Sequence, residues 1–515
     1  MAISGVLQQA STRKGLHKYL LAAFAGVLFP LSFSPYHFWY LTPVSICLLL
    51  LALSDNGRSS RHSAFKTGWF YGLGMFGNGT SWIYISIHDY GFTGMPLAIL
   101  MTMFFVMGLS LLPALQLTLF KRGFCNISPV WSFPALWVLF EWVRSWILTG
   151  FPWLFAGNAL IDSPLSPWLP VGGVYLASFI LVMSGVLIFR FVMQKLRLRT
   201  LLAYLIIVFA GSHLLNGIQW VTPAAEKPLK VAMVQGNIDQ NKKWMPQHRD
   251  EFLFLYRDLT QDIQNADLVI WPETSVPMLM QQSRAYINRI LADLPAGTAF
   301  IAGMPERATP AGVRPAQYYN AIMARGDAQG IYRKQKLVPF GEYVPFESML
   351  RGAIAFFNLP MSSFTAGEAS QSELTAKGFT VAPFICYEVV YPEFVRQRAT
   401  DSDLLITISN DSWFGHSAGP LQHLQMARVR AAENGRYMLR STNNGVTAVI
   451  DNKGRITNTA PQFEQAIVRG EVWPMQGQTP YNQLGSAPLL IFLAALLLIQ
   501  FVISRKSRPR NIFSV

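Results

Sequence analysis

Three residues of the 515-residue chain have the types that covalent acyl transfer needs: a carboxylate to take a proton, an ammonium to hold developing negative charge, and a thiol to attack. Glu273 closes the run Leu268-Val269-Ile270-Trp271-Pro272. Lys334 follows Tyr332-Arg333 and precedes Leu337-Val338-Pro339-Phe340-Gly341-Glu342. Cys386 ends an apolar run, 379–385, and is followed at once by Tyr387 and Glu388. Taken singly, each has a plain structural reading. A cysteine at a strand end is a small buried hydrophobe, Glu273 in Pro-Glu-Thr-Ser is a helix-capping carboxylate, and Lys334 is a solvated strand residue beside Arg333 and Lys336.

Such residues need rigid elements to hold them. From 219 to 487, strand-like and helix-like segments alternate, the pattern of an α/β domain. Residues 230–235, 267–271, 299–304, 319–325, 379–386 and 404–409 read as strands, 247–266 and 421–434 as helices, and Asn443-Asn444-Gly445 as a hairpin turn. The three residues then fall at strand ends or in the loops just after them, where α/β sites form. That length suffices for one large core or for two sheets back to back.

The rest of the chain is of another kind. Overall it is 51% hydrophobic and only 14% charged, as for a membrane protein carrying a soluble domain. Residues 219–487 hold 25 Lys and Arg against 24 Asp and Glu, whereas the remainder holds 17 against 4. Apolar runs near 16–34, 38–54, 67–87, 95–120, 128–148, 168–191, 199–217 and 487–504 give about eight candidate spans. Every second connection is basic: Arg13, Lys14 and Lys18, then Arg58, Arg61 and Lys66, Lys121 and Arg122, Arg190 to Arg199, and finally Arg505, Lys506, Arg508 and Arg510. The alternate connections, at 34–37, 87–94 and 149–162, have no Lys or Arg. Both termini are therefore expected in the cytoplasm and 219–486 on the opposite side. The first span is followed too soon by a second to read as a cleaved signal peptide.

Of the three cysteines, Cys47 lies in a span, Cys125 in a cytoplasmic turn, and Cys386 is alone in the outer domain, so no disulfide framework is expected. No metal-ligand spacing occurs among the eight histidines, and no phosphate-binding glycine loop or cofactor motif is present. The positive charge follows topology and not a surface patch, which disfavours nucleic acid. Within the fifth span Glu141 and Arg144 are functional by default; their spacing suits a structural ion pair or a lipid headgroup contact. Trp244, Trp413 and Phe414 are candidates for excluding water from the site. Trp153, in the loop Gly150-Phe151-Pro152-Trp153, is a candidate substrate contact at the outer interface.

The joint pattern is more specific than its parts. Trp271-Pro272-Glu273, Tyr332-Arg333-Lys334-Gln335-Lys336-Leu337 and Cys386-Tyr387-Glu388, in that order, resemble the carbon-nitrogen hydrolase (nitrilase) superfamily. With seven spans before this domain, one after it, Val338 to Pro345 and Asn410-Asp411-Ser412-Trp413-Phe414-Gly415, nearly the whole chain resembles the bacterial apolipoprotein N-acyltransferase family. The resemblance implies a polytopic helical membrane domain (1–218), an αββα sandwich (219–486) on the periplasmic side of the inner membrane, and a last span with a basic tail (487–515). It implies an acyltransferase in which Glu273 is general base, Cys386 nucleophile, and Lys334 with the Tyr387 N–H the oxyanion holder, while Glu342 and Glu388 support them. The implied partners are a phospholipid acyl donor, a diacylglyceryl apolipoprotein acceptor and the bilayer, with the enzyme a monomer. Lys336 stands where many soluble members carry His, and takes no catalytic role. The competing reading is a membrane-tethered carbon-nitrogen hydrolase, an amidase using the same residues on a small substrate.

Overall fold

The structure, a computed structural model, describes residues 16–54, 61–124, 129–309, 316–343 and 364–506. Val344, Pro345, Cys125, Arg13, Lys14, Arg58, Arg508 and Arg510 lie outside them. The chain divides into two compact units: Met1–Ser81 with Ile99–Ile218 and Leu484–Val515, and Trp82–Ala98 with Gln219–Gln483.

The first unit is helical. Among the described residues three helices are long and apolar enough to cross a membrane, Met95–Gly123, Ser166–Val192 and Leu198–Asn216; Leu16–Ser32, Leu41–Leu53 and Ala487–Ile503 are shorter apolar helices. Leu111, Leu115 and Leu119 form an exposed stripe at a spacing of four along Met95–Gly123, as a lipid-facing surface would. Close packing relies on glycine: a Cβ on Gly74 would stand 2.2 Å from the Ala23 carbonyl oxygen, and one on Gly26 2.1 Å from that of Tyr71. Glu141 and Arg144 are both buried. Glu141 accepts hydrogen bonds from Trp137 Nε1 (2.9 Å) and the Ala156 N–H (2.8 Å). Arg144 donates to the Leu154 carbonyl and lies over the Phe76 and Phe155 rings. Together they fasten the 154–156 loop to helix Pro129–Arg144.

The run near 67–87 does not continue as one helix. Helix Arg61–Gly79 stops in Gly77-Asn78-Gly79, where glycine disfavours helix, and Trp82–Ile85 with the π-helical turn Ser86–Tyr90 belongs to the second unit.

That second unit is an α/β sandwich. One sheet runs Ala466–Val472, Leu229–Gln235, Leu268–Ile270, Ala299–Arg307, Tyr318–Gly326, Ile331–Arg333; the other runs Ile456–Thr459, Ala448–Ile450, Met438–Thr442, Leu404–Ser409, Phe379–Ile385, Leu374–Ala376, Ala328–Gln329. Each has a parallel centre: Leu229–Gln235, Leu268–Ile270 and Ala299–Arg307 in the first, Phe379–Ile385, Leu404–Ser409 and Met438–Thr442 in the second. Strand alternation builds the layers. Val231 and Met233 point into a core shared with Val381, Ile385, Ile406 and Leu439 of the other sheet. Ala232 and Val234 point the opposite way, against Phe252, Tyr256, Ile287 and Ile290 of helices Arg249–Gln261 and Arg284–Asp293. Phe252, Tyr256 and Thr260 recur every four residues on the buried face of the first of these helices, whose opening turn carries Asp250 and Glu251, suited to the helix dipole. The expected hairpin forms, with Arg440 opposite Ala448 across the 443–447 loop.

Candidate active site

Cys386 follows strand Phe379–Ile385 as the first residue of the 3-10 turn Cys386–Val390, with φ at +51°. A left-handed backbone at a residue with a Cβ costs on the order of 1–3 kcal/mol and persists only where surroundings enforce it. Here two buried groups do so. The Glu388 carboxylate takes the Ile385 N–H at 2.8 Å through Oε2, while Oε1 takes the Tyr332 hydroxyl (2.8 Å) and the N–H groups of Gln335 (2.7 Å) and Lys336 (3.1 Å). One fully buried carboxylate thus ties the turn bearing Cys386 to the loop bearing Lys334.

The second is His423 of helix Gly419–Asn434, whose Nε2 lies 3.1 Å from the Cys386 carbonyl oxygen. A carbonyl only accepts, so Nε2 carries hydrogen. Burial and the neighbouring Arg440 lower the imidazole below its ordinary value and keep it neutral. Its Nδ1 lies 3.2 Å from both Arg440 Nη2 and Asp411 Oδ1, and a neutral ring protonated on Nε2 accepts there from Arg440. Arg440 also donates to Asp411 Oδ2 at 2.6 Å.

Lys334 is 1% exposed. Its Nζ is 2.9 and 2.8 Å from the two oxygens of Glu342 and 3.8 Å from Glu273 Oε1. Glu342 is itself fixed by the Val338 N–H at 2.9 Å. Asn320 Nδ2 bridges the carboxylates, at 2.7 Å from Glu273 Oε1 and 3.0 Å from Glu342 Oε1. The other oxygen of Glu273 accepts the Asn410 N–H at 2.7 Å.

Electrostatics sets the protonation states. Burial works against the charge on Lys334, but Glu342 and Glu273 outweigh it and hold the ammonium above its ordinary value. Burial pushes the Glu273 carboxyl above the usual carboxylate range, with Lys334 opposing and Glu342 adding to the rise. Burial and the Glu273 charge push the Cys386 thiol up to about 12, against the pull of Lys334. At neutral pH Cys386 is therefore a thiol, not a thiolate, and the Glu273 carboxyl is more basic than usual. A thiol in that state attacks only as its proton is removed, which needs a base.

Glu273 also lines a pocket with Lys243, Trp244, Thr274, Asn410 and Trp413. Phe414 is buried behind its wall, edge-on to Trp82 at 4.7 Å. Ser86 Oγ donates to the Trp413 carbonyl at 2.7 Å, and Tyr90 packs on Trp413 at 5.8 Å. Residues read from the sequence as part of a span thus brace the aromatic wall. Tyr387 packs edge-on against Tyr391. Trp153 belongs to the first unit, where it is fully buried. Asn320, Lys243 and the Asp411-Arg440-His423 group were not read from the sequence, since a lone Asn, Lys or Arg inside a strand or loop has no spacing to betray it. Among the described residues no His, Cys, Asp or Glu group could hold a metal ion.

Two family profiles match the chain: the apolipoprotein N-acyltransferase N-terminal domain over residues 25–187 and carbon-nitrogen hydrolase over 230–476. Similar proteins include the apolipoprotein N-acyltransferases of Pseudomonas paraeruginosa, 47% identical over 97% of this chain and 98% of that protein, and of Azotobacter vinelandii, 48% identical over 95% of each. That of Vibrio vulnificus is 42% identical over 93% of this chain and 96% of its own length. The chain belongs to the apolipoprotein N-acyltransferase family, acyltransferases of the nitrilase superfamily.

Proposed function

We propose that the chain transfers an acyl group from a phospholipid to the N-terminal amine of an S-diacylglyceryl-cysteine lipoprotein through a thioester on Cys386. Glu273 takes the thiol proton as sulfur attacks the glycerol ester carbonyl, and Lys334 with the Tyr387 N–H holds the tetrahedral oxyanion. The carbon-oxygen bond breaks, the lysophospholipid oxygen leaves with the proton from Glu273, and the acyl group remains on sulfur. In the second half the lipoprotein amine attacks the thioester carbonyl, Glu273 takes a proton from nitrogen, and the carbon-sulfur bond breaks to return the thiol. Glu342 and Glu388 position Lys334 and the Cys386 turn. Trp244, Trp413 and Phe414 keep water from the thioester.

The observation that supports this reading is the buried Glu273-Lys334 pair, 3.8 Å apart, with Cys386 held at φ +51° at the end of its strand. We place this chemistry in a layout of eight spans, with both termini cytoplasmic, residues 219–486 in the periplasm of the inner membrane, and the enzyme a monomer. A reporter fused near residue 470 that is active only in the periplasm is the expected outcome; activity only in the cytoplasm refutes the layout.

The test of the chemistry is a stall. Enzyme mixed with phospholipid alone should release about one lysophospholipid per Cys386 and stop, with the fatty-acyl mass on the Cys386 peptide. A diacylglyceryl peptide with a free amine should restart turnover, and its acetylated form should not. Continuous fatty-acid release without any amine would favour hydrolysis instead.

A further inference from the structure

Lys243 is a buried cation for which the reaction above has no use. It is 2% exposed, and its Nζ donates to the Glu273 carbonyl oxygen at 3.2 Å. An ammonium has three hydrogens to give. Among the described residues no carboxylate stands within ion-pair distance of it; the ion pairs of this region belong to Lys334. Burial lowers the Lys243 ammonium to about 8, with only the more distant Glu273 charge opposing. A buried positive charge without its counterion is costly, and an anionic ligand would complete it.

The position of Lys243 indicates what completes it. Lys243 lines the same pocket as Glu273, together with Trp244 and Trp413. The backbone that carries it is fixed, since the N–H groups of Lys242 and Lys243 both donate to the Asp239 carbonyl at 3.1 Å. Opposite, Asn410 gives its side-chain amide to Gln240 Oε1 at 2.6 Å and its backbone N–H to Glu273, so the polar wall is closed on itself and offers no second anion. Among the residues that line the pocket, the cationic one is Lys243.

We propose that Lys243 is the headgroup anchor of the acyl donor, taking a phosphate oxygen of the phospholipid in a charge-assisted hydrogen bond. This rests on the acyl-transfer reading and specifies the donor's register within it. In a glycerophospholipid the phosphorus and the ester carbonyl are a few bonds apart on one glycerol. A phosphate held by Lys243, which touches the backbone of Glu273, therefore leaves the ester next to the Glu273 carboxylate. No bond is made or broken at Lys243. The same geometry gives donors with a phosphodiester an advantage over neutral glycerides that carry identical chains.

The test is made on binding, so that it does not depend on the thioester step. In full-length protein carrying Cys386→Ala, the affinities for phosphatidylglycerol and for a diacylglycerol of the same chains are measured in detergent micelles, with and without Lys243→Met. Lys243→Met should weaken phosphatidylglycerol binding about 10- to 100-fold, the range for losing one charge-assisted bond, and change diacylglycerol binding less than threefold. Lys243→Arg should recover part of the loss, which a merely structural role for the aliphatic stem would not predict. Inorganic phosphate should compete only at far higher concentration than the lipid. Equal loss for both lipids, unchanged phosphatidylglycerol affinity, or competition by inorganic phosphate as strong as by the lipid would each overturn the assignment. Because Cys386→Ala cannot form a thioester, these results stand apart from success or failure of the covalent mechanism.

Discussion

The two sheets of the sandwich each carry a buried polar cluster near the site, and the clusters differ in charge balance. On the six-stranded sheet Glu273 and Glu342 share a single ammonium, that of Lys334. On the seven-stranded sheet Asp411 and Arg440 pair one to one, with a neutral His423 between Arg440 and the Cys386 carbonyl. Burial acts on both, with opposite results. Asp411 would rise on burial, but Arg440 outweighs that and holds it below the usual carboxylate range. Glu273 rises, because burial outweighs Lys334, whose ammonium Glu342 holds closer. A balanced cluster stays charged and holds backbone in place; one with a surplus carboxylate has a group ready to take a proton.

The largest effects should come from the unbalanced cluster. Cys386→Ala should abolish transfer with folding intact, and activity within about tenfold of wild type would break the mechanism. Glu273→Gln should slow thioester formation by about 10²–10⁴, the range for removing a general base. Lys334→Met should cost about 10²–10³ through the lost oxyanion contact. Intact-mass measurement of the acyl-enzyme against time reads all three, and normal accumulation in either of the last two would reassign that residue.

The balanced cluster should answer in stability first. Arg440→Met leaves Asp411 buried and unpaired, a change that costs about 3–5 kcal/mol. Glu273→Gln removes a buried charge and should leave stability unchanged or slightly raised, so chemical denaturation of the two variants separates the clusters. Should Arg440→Met unfold at the wild-type denaturant concentration while losing acyl-enzyme formation, the Asp411 cluster would be chemical and the comparison would fail. The charge-neutral probe is His423→Phe, which removes the donor to the Cys386 carbonyl and the acceptor of Arg440. It should cost about 1–3 kcal/mol by leaving that acceptor and Arg440 short of a partner.

How much of this could be read beforehand follows from which interactions are local. The strands of the sandwich were legible because alternation and apolar runs are properties of a few consecutive residues, and Glu273, Lys334 and Cys386 each end or follow such a run. The structure brings Glu273 and Lys334 to 3.8 Å although they are far apart in the chain. What could not be read is set by contacts across sheets. Asn320 sits in the middle of strand Tyr318–Gly326 and looks like any polar strand residue until Glu273 and Glu342 arrive from two loops. Arg440 reads as an odd charge in an apolar strand until Asp411 and His423 close on it. The end of helix Arg61–Gly79 was missed for another reason. Hydropathy carries on to residue 87, and only the packing of Trp82 and Ser86 on Phe414 and Trp413 marks where the chain changes units.

The smallest and sharpest effect is in pH. Glu273 can take the thiol proton only when it is itself unprotonated, so thioester formation should fall on the acid side with a midpoint at the Glu273 pKa. Burial raises that pKa, hence the midpoint should lie above the value of about 4.3 for a free glutamate. No second rise is expected between pH 8 and 9, because the Cys386 thiol is held near 12 and titrates beyond that range. Asn320 opposes that rise: its amide bonds to the charged form of Glu273 and so holds the pKa down. Asn320→Leu should therefore move the acid midpoint further up, by up to about one pH unit, which corresponds to about 1.4 kcal/mol. At a pH below both midpoints the variant should be about tenfold slower, and at pH 8 nearly as fast as wild type. Rates of thioester formation from pH 4 to 9 for the two proteins decide it. A midpoint in the ordinary glutamate range, or one that moves down in Asn320→Leu, would mean that the surplus carboxylate is not the group that takes the proton.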